Sequence, residues 1–204
     1  FADGKQCCSP PVQLLDGTLL IPVYGPIGRA TSTSAVLYRS TDGGLNWSEL
    51  AVTGRGHPQR RGYAEPAVLE LSPGHLLALH RVADPRAPEG IIWRNESFDG
   101  GRTWTPPHRT SIRSGACPRP LKLQDGRLLL TYGRRFEPFG IYASISNDEG
   151  LSWGETSWLL RKTPDGDQGY TSSVELDDGR IFTASYAKSS RGITGITGTF
   201  WNSP

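Results

Sequence analysis

Four turn glycines, Gly17, Gly74, Gly126 and Gly179, bring the side chains of this sequence that can do chemistry into one register. Nine residues before each glycine stand Cys8, Glu65, Cys117 and Tyr170. Seven residues after stand Tyr24, Arg81, Gly133 and Tyr186, with Arg134 and Arg135 just beyond Gly133. A carboxylate such as Glu65 can accept a proton from a reacting group. A guanidinium such as Arg81 or Arg135 presents a planar fork that matches a ligand carboxylate. The phenol of Tyr170 ionises only near pH ~10, so at neutral pH it acts as a nucleophile only with a base beside it. A pure scaffold would not need these groups at these positions. The plainer alternatives are an ion pair across a hairpin for Glu65 and Arg81, and an aromatic lid on the core for Tyr170.

The elements that position these residues are hairpins. Each turn glycine lies between short apolar runs, in VQLLDGTLLIPVY, AVLELSPGHLLALHR, LKLQDGRLLLTYG and SVELDDGRIFTASY. Asp-Gly between such runs predicts a tight hairpin, with a type I′ turn whose central residues both take positive φ. The hairpins are predicted over 12–24, 67–81, 121–133 and 173–186, their glycines spaced 57, 52 and 53 residues apart. The two aligned positions then fall at the open end of each hairpin, opposite its turn.

A second repeat accompanies the first. The pattern S-x-D-x-G-x-x-W occurs as STDGGLNW (40–47), SFDGGRTW (97–104) and SNDEGLSW (146–153), with the aspartates 57 and 49 residues apart. Another short strand, SAVLYRS, GIIWRNES or GIYASIS, precedes each box. A unit of ~50 residues thus holds two hairpins, which is the content of one propeller blade. No segment shows sustained helical periodicity with caps, so the chain is expected to be all-β. We expect a single partial β-propeller domain over 1–204, with blades at approximately 1–54, 55–113, 114–165 and 166–204. Four units are few for a closed propeller, so a six-bladed parent is expected, its further blades preceding Phe1. Inner strands of a propeller converge on its axis, which would gather the aligned residues at one mouth.

The boxes themselves are expected to be structural. Asp42, Asp99 and Asp148 accept hydrogen bonds within a tight turn, and Trp47, Trp104 and Trp153 fill space between sheets. Their aspartates belong to different blades, so they are not expected to form a metal site, and no His or Cys cluster has ligand spacing. No phosphate-binding glycine loop implies a cofactor. The net charge of +2 over 204 residues argues against a dedicated nucleic-acid surface, and no apolar run reaches the ~18 residues of a membrane span. Three cysteines, two of them adjacent, are expected to be free thiols rather than a disulfide framework, with a Cys7 or Cys8 bridge to Cys117 as the alternative. Asn46 and Asn95 match the N-x-S sequon, Asn46 from inside a box. The compartment and the oligomeric state are not fixed by these features.

With the boxes, the segments YAEPAVLELSPGHLLALHR (63–81), LLLTYGRRFEPFGIYASISNDEG (128–150) and DQGYTSSVELDDGRIFTASY (167–186) resemble the sialidase (neuraminidase) superfamily, in a divergent branch. The resemblance implies a sialidase-type propeller and a retaining exo-glycosidase that releases terminal sialic acid or a related acidic sugar. It implies Tyr170 as nucleophile, Glu65 as its base, and Arg81 with Arg135 or Arg134 in the clamp on the sugar carboxylate. Tyr186 stands among the substrate-binding positions. The first clamp arginine and the acid/base aspartate of that family have no counterpart here, so the chain by itself is expected to be inactive. Two alternatives stand beside this one. One is a glycosidase or lyase of the same fold acting on another sugar, for which His57, His80 and His108 would be candidates. The other is a propeller that only binds glycan or protein.

Overall fold

The computed structural model describes residues 4–57, 62–83, 90–154 and 157–203. Among the described residues there are strands and turns and no helix. The chain divides into two compact units, Phe1–Arg109 and Thr110–Pro204.

The first unit holds two antiparallel sheets. Strands β1 (Val12–Gln13), β2 (Leu19–Gly25), β3 (Ser34–Ser40) and β4 (Ser48–Gly54) follow one another in sequence order. The second sheet has the same order, from β5 (Gly62–Ser72), β6 (His75–Ala83), β7 (Ile91–Ser97) and β8 (His108–Arg113), whose last strand runs across the division. Alternating apolar residues decide how the two sheets pack. Leu14, Leu20 and Leu37 meet Val68, Leu76 and Ala78 in one buried cluster, with Trp104 against it. Burying a leucine such as Leu20, Leu37 or Leu76, each fully inaccessible, contributes about 1.5–3 kcal/mol.

The second unit repeats the plan. Strands β9 (Arg119–Lys122), β10 (Leu128–Arg134), β11 (Gly140–Ser146) and β12 (Trp158–Lys162) form one sheet. Strands β13 (Gln168–Glu175), β14 (Arg180–Lys188) and β15 (Thr194–Asn202) form a three-stranded sheet. Leu123, Leu129, Ala143 and Ile145 pack with Ile181, and Trp158 and Trp201 close the cluster.

The hairpins occur where the sequence places them, but their turns differ from the type I′ expected. In three of them only the glycine has positive φ, 86° at Gly17, 89° at Gly126 and 80° at Gly179. The glycine amide donates to the carbonyl three residues back, Gly17 to Leu14, Gly126 to Leu123 and Gly179 to Leu176, each at 2.9 Å. Leu14, Leu123 and Leu176 in turn donate to the carbonyls of Thr18, Arg127 and Arg180. These are three-residue loops, an ordinary turn followed by a left-handed glycine that restores the strand direction. The aspartate before each glycine accepts from the amide two residues on, as in Thr18 N to Asp16 Oδ1 at 2.9 Å. In the remaining hairpin Pro73 stands where a I′ turn needs positive φ, which its ring forbids.

Candidate functional site

Glu65 lies in a bulge of β5. Ala64 pairs with Arg81 and Ala67 with Leu79, so Glu65 and Pro66 together oppose the single residue His80. The bulge puts Glu65 at φ 48°, a left-handed conformation unusual for a residue with a Cβ. Glu65 is buried at 4% exposure, and Oε1 accepts from Arg81 Nη1 at 2.9 Å. The Arg81 side chain keeps one third of its surface (33%) in solvent. Ser9 Oγ, in the segment before β1, donates to the Pro66 carbonyl at 2.5 Å and braces the bulge.

The second unit contains the same device. Gly169 pairs with Tyr186 and Ser172 with Ala184, so Tyr170 and Thr171 oppose Ser185. Tyr170 has φ 46°, and its side chain is 37% exposed. Its ring stacks on that of Tyr186, with centroids 5.8 Å apart and planes inclined by 23°. The Arg135 guanidinium lies over the Tyr170 ring, 5.6 Å from its centroid. Arg135 is fixed by donating from Nη2 to the Tyr186 hydroxyl at 2.7 Å and from Nε to the Gln168 carbonyl at 3.2 Å. The Tyr186 hydroxyl donates to Asp167 Oδ1 at 3.3 Å. Lys188 Nζ bridges Asp165 at 3.1 Å and Asp167 at 3.3 Å. Thr131 Oγ1 donates to Thr171 Oγ1 at 3.0 Å, and Arg119 Nε to the Thr171 carbonyl at 3.2 Å, so the bulge is held by a pair of residues on β10 and β9.

A family model for the BNR repeat-like domain matches residues 7–183 of this sequence. The chain belongs to the BNR repeat-like family. Its structure is similar to that of a protein of unknown function from Dyadobacter fermentans, with a TM-score of 0.83 and 26% identity over 95% of this chain and 52% of that one. It is also similar to the GH93 α-L-arabinofuranosidase of Fusarium graminearum complexed with arabinobiose, with a TM-score of 0.72 and 16% identity over 100% of this chain and 68% of the enzyme. A third relative in structure is the NanB sialidase of Streptococcus pneumoniae, with a TM-score of 0.71 and 18% identity over 98% of this chain and 31% of the enzyme. The BNR repeat-like chain thus spans about half the length of the Dyadobacter protein and less than a third of the sialidase. No curated protein is significantly similar to it in sequence. Its fold is the all-β propeller of sialidase type, of which it carries four blade sheets.

Three boxes of this BNR repeat-like chain have one hydrogen-bond pattern. Ser40, Ser97 and Ser146 donate to Oδ1 of Asp42, Asp99 and Asp148 at 2.7, 2.8 and 2.7 Å. Each aspartate then accepts from the backbone amide four residues on, at Asn46, Thr103 and Ser152. Trp47 and Trp104 donate from Nε1 to the Gly44 and Gly101 carbonyls, both at 2.9 Å. Trp153 is buried at 4% exposure without such a bond. The Asn46 amide holds the Asp42 carboxyl at about 2, and Thr103 holds that of Asp99 at about 2. Burial pulls Asp148 upward, yet the bonds from Ser152 and Ser146 outweigh it and keep it below the usual carboxylate range. Every carboxylate oxygen in these turns is directed to its own loop.

The other sequence candidates fall as follows. Arg134 donates to the Glu137 carbonyl at 2.9 Å and lies over Phe136 and Tyr142, apart from the ring that Arg135 covers. Cys8 and Cys117, at the register of Glu65 and Tyr170, lack the left-handed backbone. Cys7, Cys8 and Cys117 are thiols outside any disulfide. Asn95 is fully buried, its amide donating to the carbonyls of Thr53 and Thr105, so its sequon is closed to modification. Its Oδ1 faces His80 Nε2 at 2.8 Å. Because both amide protons of Asn95 are used, His80 Nε2 carries the proton of that bond. Burial lowers the His80 pKa to about 4. Asp167 and Lys188 have no signal as site residues in the sequence beyond their place in and after the DQGY segment. No group of three His, Cys, Asp or Glu able to hold a metal occurs among the described residues.

Proposed function

We propose that this chain contributes to an exo-acting glycoside hydrolase of sialidase type, which releases terminal sialic acid or a related acidic sugar with retention of configuration. Tyr170 is the nucleophile and Glu65 the base that takes its proton. The phenol oxygen bonds to the anomeric carbon as the bond to the leaving oxygen breaks, and water later cleaves the aryl glycoside formed on the protein. Sialic acid carries a carboxylate on the anomeric carbon, which would repel a carboxylate nucleophile and does not repel a neutral phenol. Arg81 and Arg135 supply positive charge for that carboxylate. One observation supports this assignment most: Glu65 and Tyr170 alone take the left-handed bulge among the four aligned positions, and each has an arginine within contact distance. The sialidase named among the similar structures agrees with it.

A second substrate class is favoured by the arginines themselves. Arg81 donates to Glu65, and Arg135 to Tyr186 and Gln168, so part of each fork is already engaged. A neutral sugar would leave these bonds intact, and the structurally similar arabinofuranosidase was captured with arabinobiose. A panel of aryl glycosides given to the whole protein separates the two. Cleavage of an aryl α-sialoside is expected; cleavage of an aryl α-L-arabinofuranoside with none of the sialoside would establish the second class instead.

A further inference from the structure

The second unit contains a cavity of about 490 Å³ between the end of β12 and strands β14 and β15. Arg161, Lys162 and Lys188 contribute to its wall, and no acidic side chain does. Ser189, Ser190 and the exposed Ile193 line it as well. We propose that this cavity is a subsite for an acidic sugar unit on the leaving-group side of the substrate. The proposal rests on the glycosidase activity proposed above and adds what that enzyme would recognise beyond the released sugar.

Size, charge and continuity support it. The volume falls within the range of about 300–1,000 Å³ usual for pockets that enclose a small ligand. Lys188 is more than neutralised by its two partners Asp165 and Asp167, which leaves Arg161 and Lys162 as the charges offered to a ligand anion. Arg161 is held against the wall by donating from Nη2 to the Gly198 carbonyl at 3.1 Å and to Thr199 Oγ1 at 3.4 Å. The serine hydroxyls suit sugar hydroxyls, and Ile193 and Pro164 suit the apolar face of a pyranose. Tyr186 and Lys188 lie two residues apart on β14, roughly 7 Å along the strand, with Lys188 at the cavity wall. Arg135, Tyr186, Asp167 and Lys188 form a continuous polar chain from the Tyr170 ring to the cavity wall. A disaccharide with its terminal unit at Tyr170 would therefore extend its second unit toward Arg161 and Lys162.

The test uses α2,8-linked disialic acid, whose leaving-group sugar is itself acidic, titrated calorimetrically into the whole protein in a Tyr170→Phe background that blocks turnover. Lys162→Glu and Ser190→Asp are made in that background; both positions are exposed, so the fold tolerates the change. Each is expected to weaken binding about tenfold by reversing or opposing the local charge. Equal affinity in variants and parent, or absence of binding to the parent, overturns the subsite. Turnover of an aryl α-sialoside by the protein with Tyr170 intact is measured separately. If that substrate is cleaved while both variants bind normally, the subsite fails and the activity stands. If it is not cleaved while the variants still weaken binding, the cavity is an acidic-sugar site and the activity fails.

Discussion

Glu65 and Tyr170 share one backbone geometry. Each opens a two-residue bulge nine positions before a turn glycine, at φ 48° and 46°. A left-handed residue with a Cβ costs roughly 1–2 kcal/mol, and such strain persists where the surroundings over-determine it. Here the bracing is visible, from Ser9 onto Pro66 in one sheet and from Thr131 and Arg119 onto Thr171 in the other. Cys8 and Cys117, at the same register, do without the bulge conformation. The strained backbone therefore goes with the two residue types that can act as base and nucleophile.

The Tyr170 bulge depends on the residue before it. Gly169 has φ 128°, and a Cβ there would stand 3.2 Å from the Ala116 methyl. Gly169→Ala is expected to destabilise the protein by about 1–3 kcal/mol and to lower kcat/KM about tenfold through a displaced Tyr170. Urea unfolding and turnover of the cleaved aryl glycoside check this; no change in either would show that the bulge tolerates a side chain at 169.

Arg81 neutralises a buried carboxylate. In Arg81→Ala Glu65, 4% exposed, would lose its counter-charge. Losing one partner of a fully buried pair costs about 3–5 kcal/mol; because Arg81 is one third exposed, about 2 kcal/mol is expected here. Adding Glu65→Gln to Arg81→Ala should recover most of that loss in urea unfolding at pH 7. Additive losses in the double variant would show that the pair is not coupled.

Much of the fold was legible because its signals are local. Alternating apolar residues and turn glycines mark the hairpins, and each box is a single loop whose Ser, Asp and Trp bond to one another. The turn type was not legible, since Leu15, Asp16 and Gly17 read equally well as part of a two-residue or a three-residue loop. Nor were the bulges: Pro66 is the one hint at Glu65 and Gly169 the one at Tyr170, and neither announces a residue doubled against its partner strand. Arg134 ends β10 and Arg135 follows it directly, and only the fold assigns Arg135 to Tyr170 and Arg134 to Phe136 and Tyr142. The chain through Asp167 and Lys188 joins residues that are distant in sequence, so spacing carried no trace of it.

Box residues should affect stability and leave catalysis alone. Ser97 is buried, donates to Asp99 and accepts from the Gly101 amide at 2.9 Å. Ser97→Ala is expected to cost about 1–2 kcal/mol in urea unfolding with kcat/KM unchanged. A selective loss of turnover at normal stability would mean that this box takes part in the chemistry.

His80 makes stability depend on pH. Its pKa is about 4 when folded and 6.5 when free, so the unfolded state binds more protons between these values. Stability from this residue is fully present above about pH 6.5 and is lost as pH falls toward 4, by about 3 kcal/mol in all. A proton added at Nδ1 would enter a buried position with no acceptor among the described residues. In His80→Gln the decline in urea midpoint between pH 6.5 and 4.5 should be shallower than in the parent. An identical decline would assign the acid sensitivity to other groups.

The identity of the nucleophile decides the central claim. Whole protein incubated with 3-fluorosialosyl fluoride, an activated donor whose fluorine slows release of the intermediate, is digested and its peptides are mapped by mass. A covalent sugar on Tyr170, absent from Tyr170→Phe, is the expected result. Turnover of the aryl α-sialoside with the adduct on Glu65 or elsewhere, or with turnover undiminished in Tyr170→Phe, would contradict it.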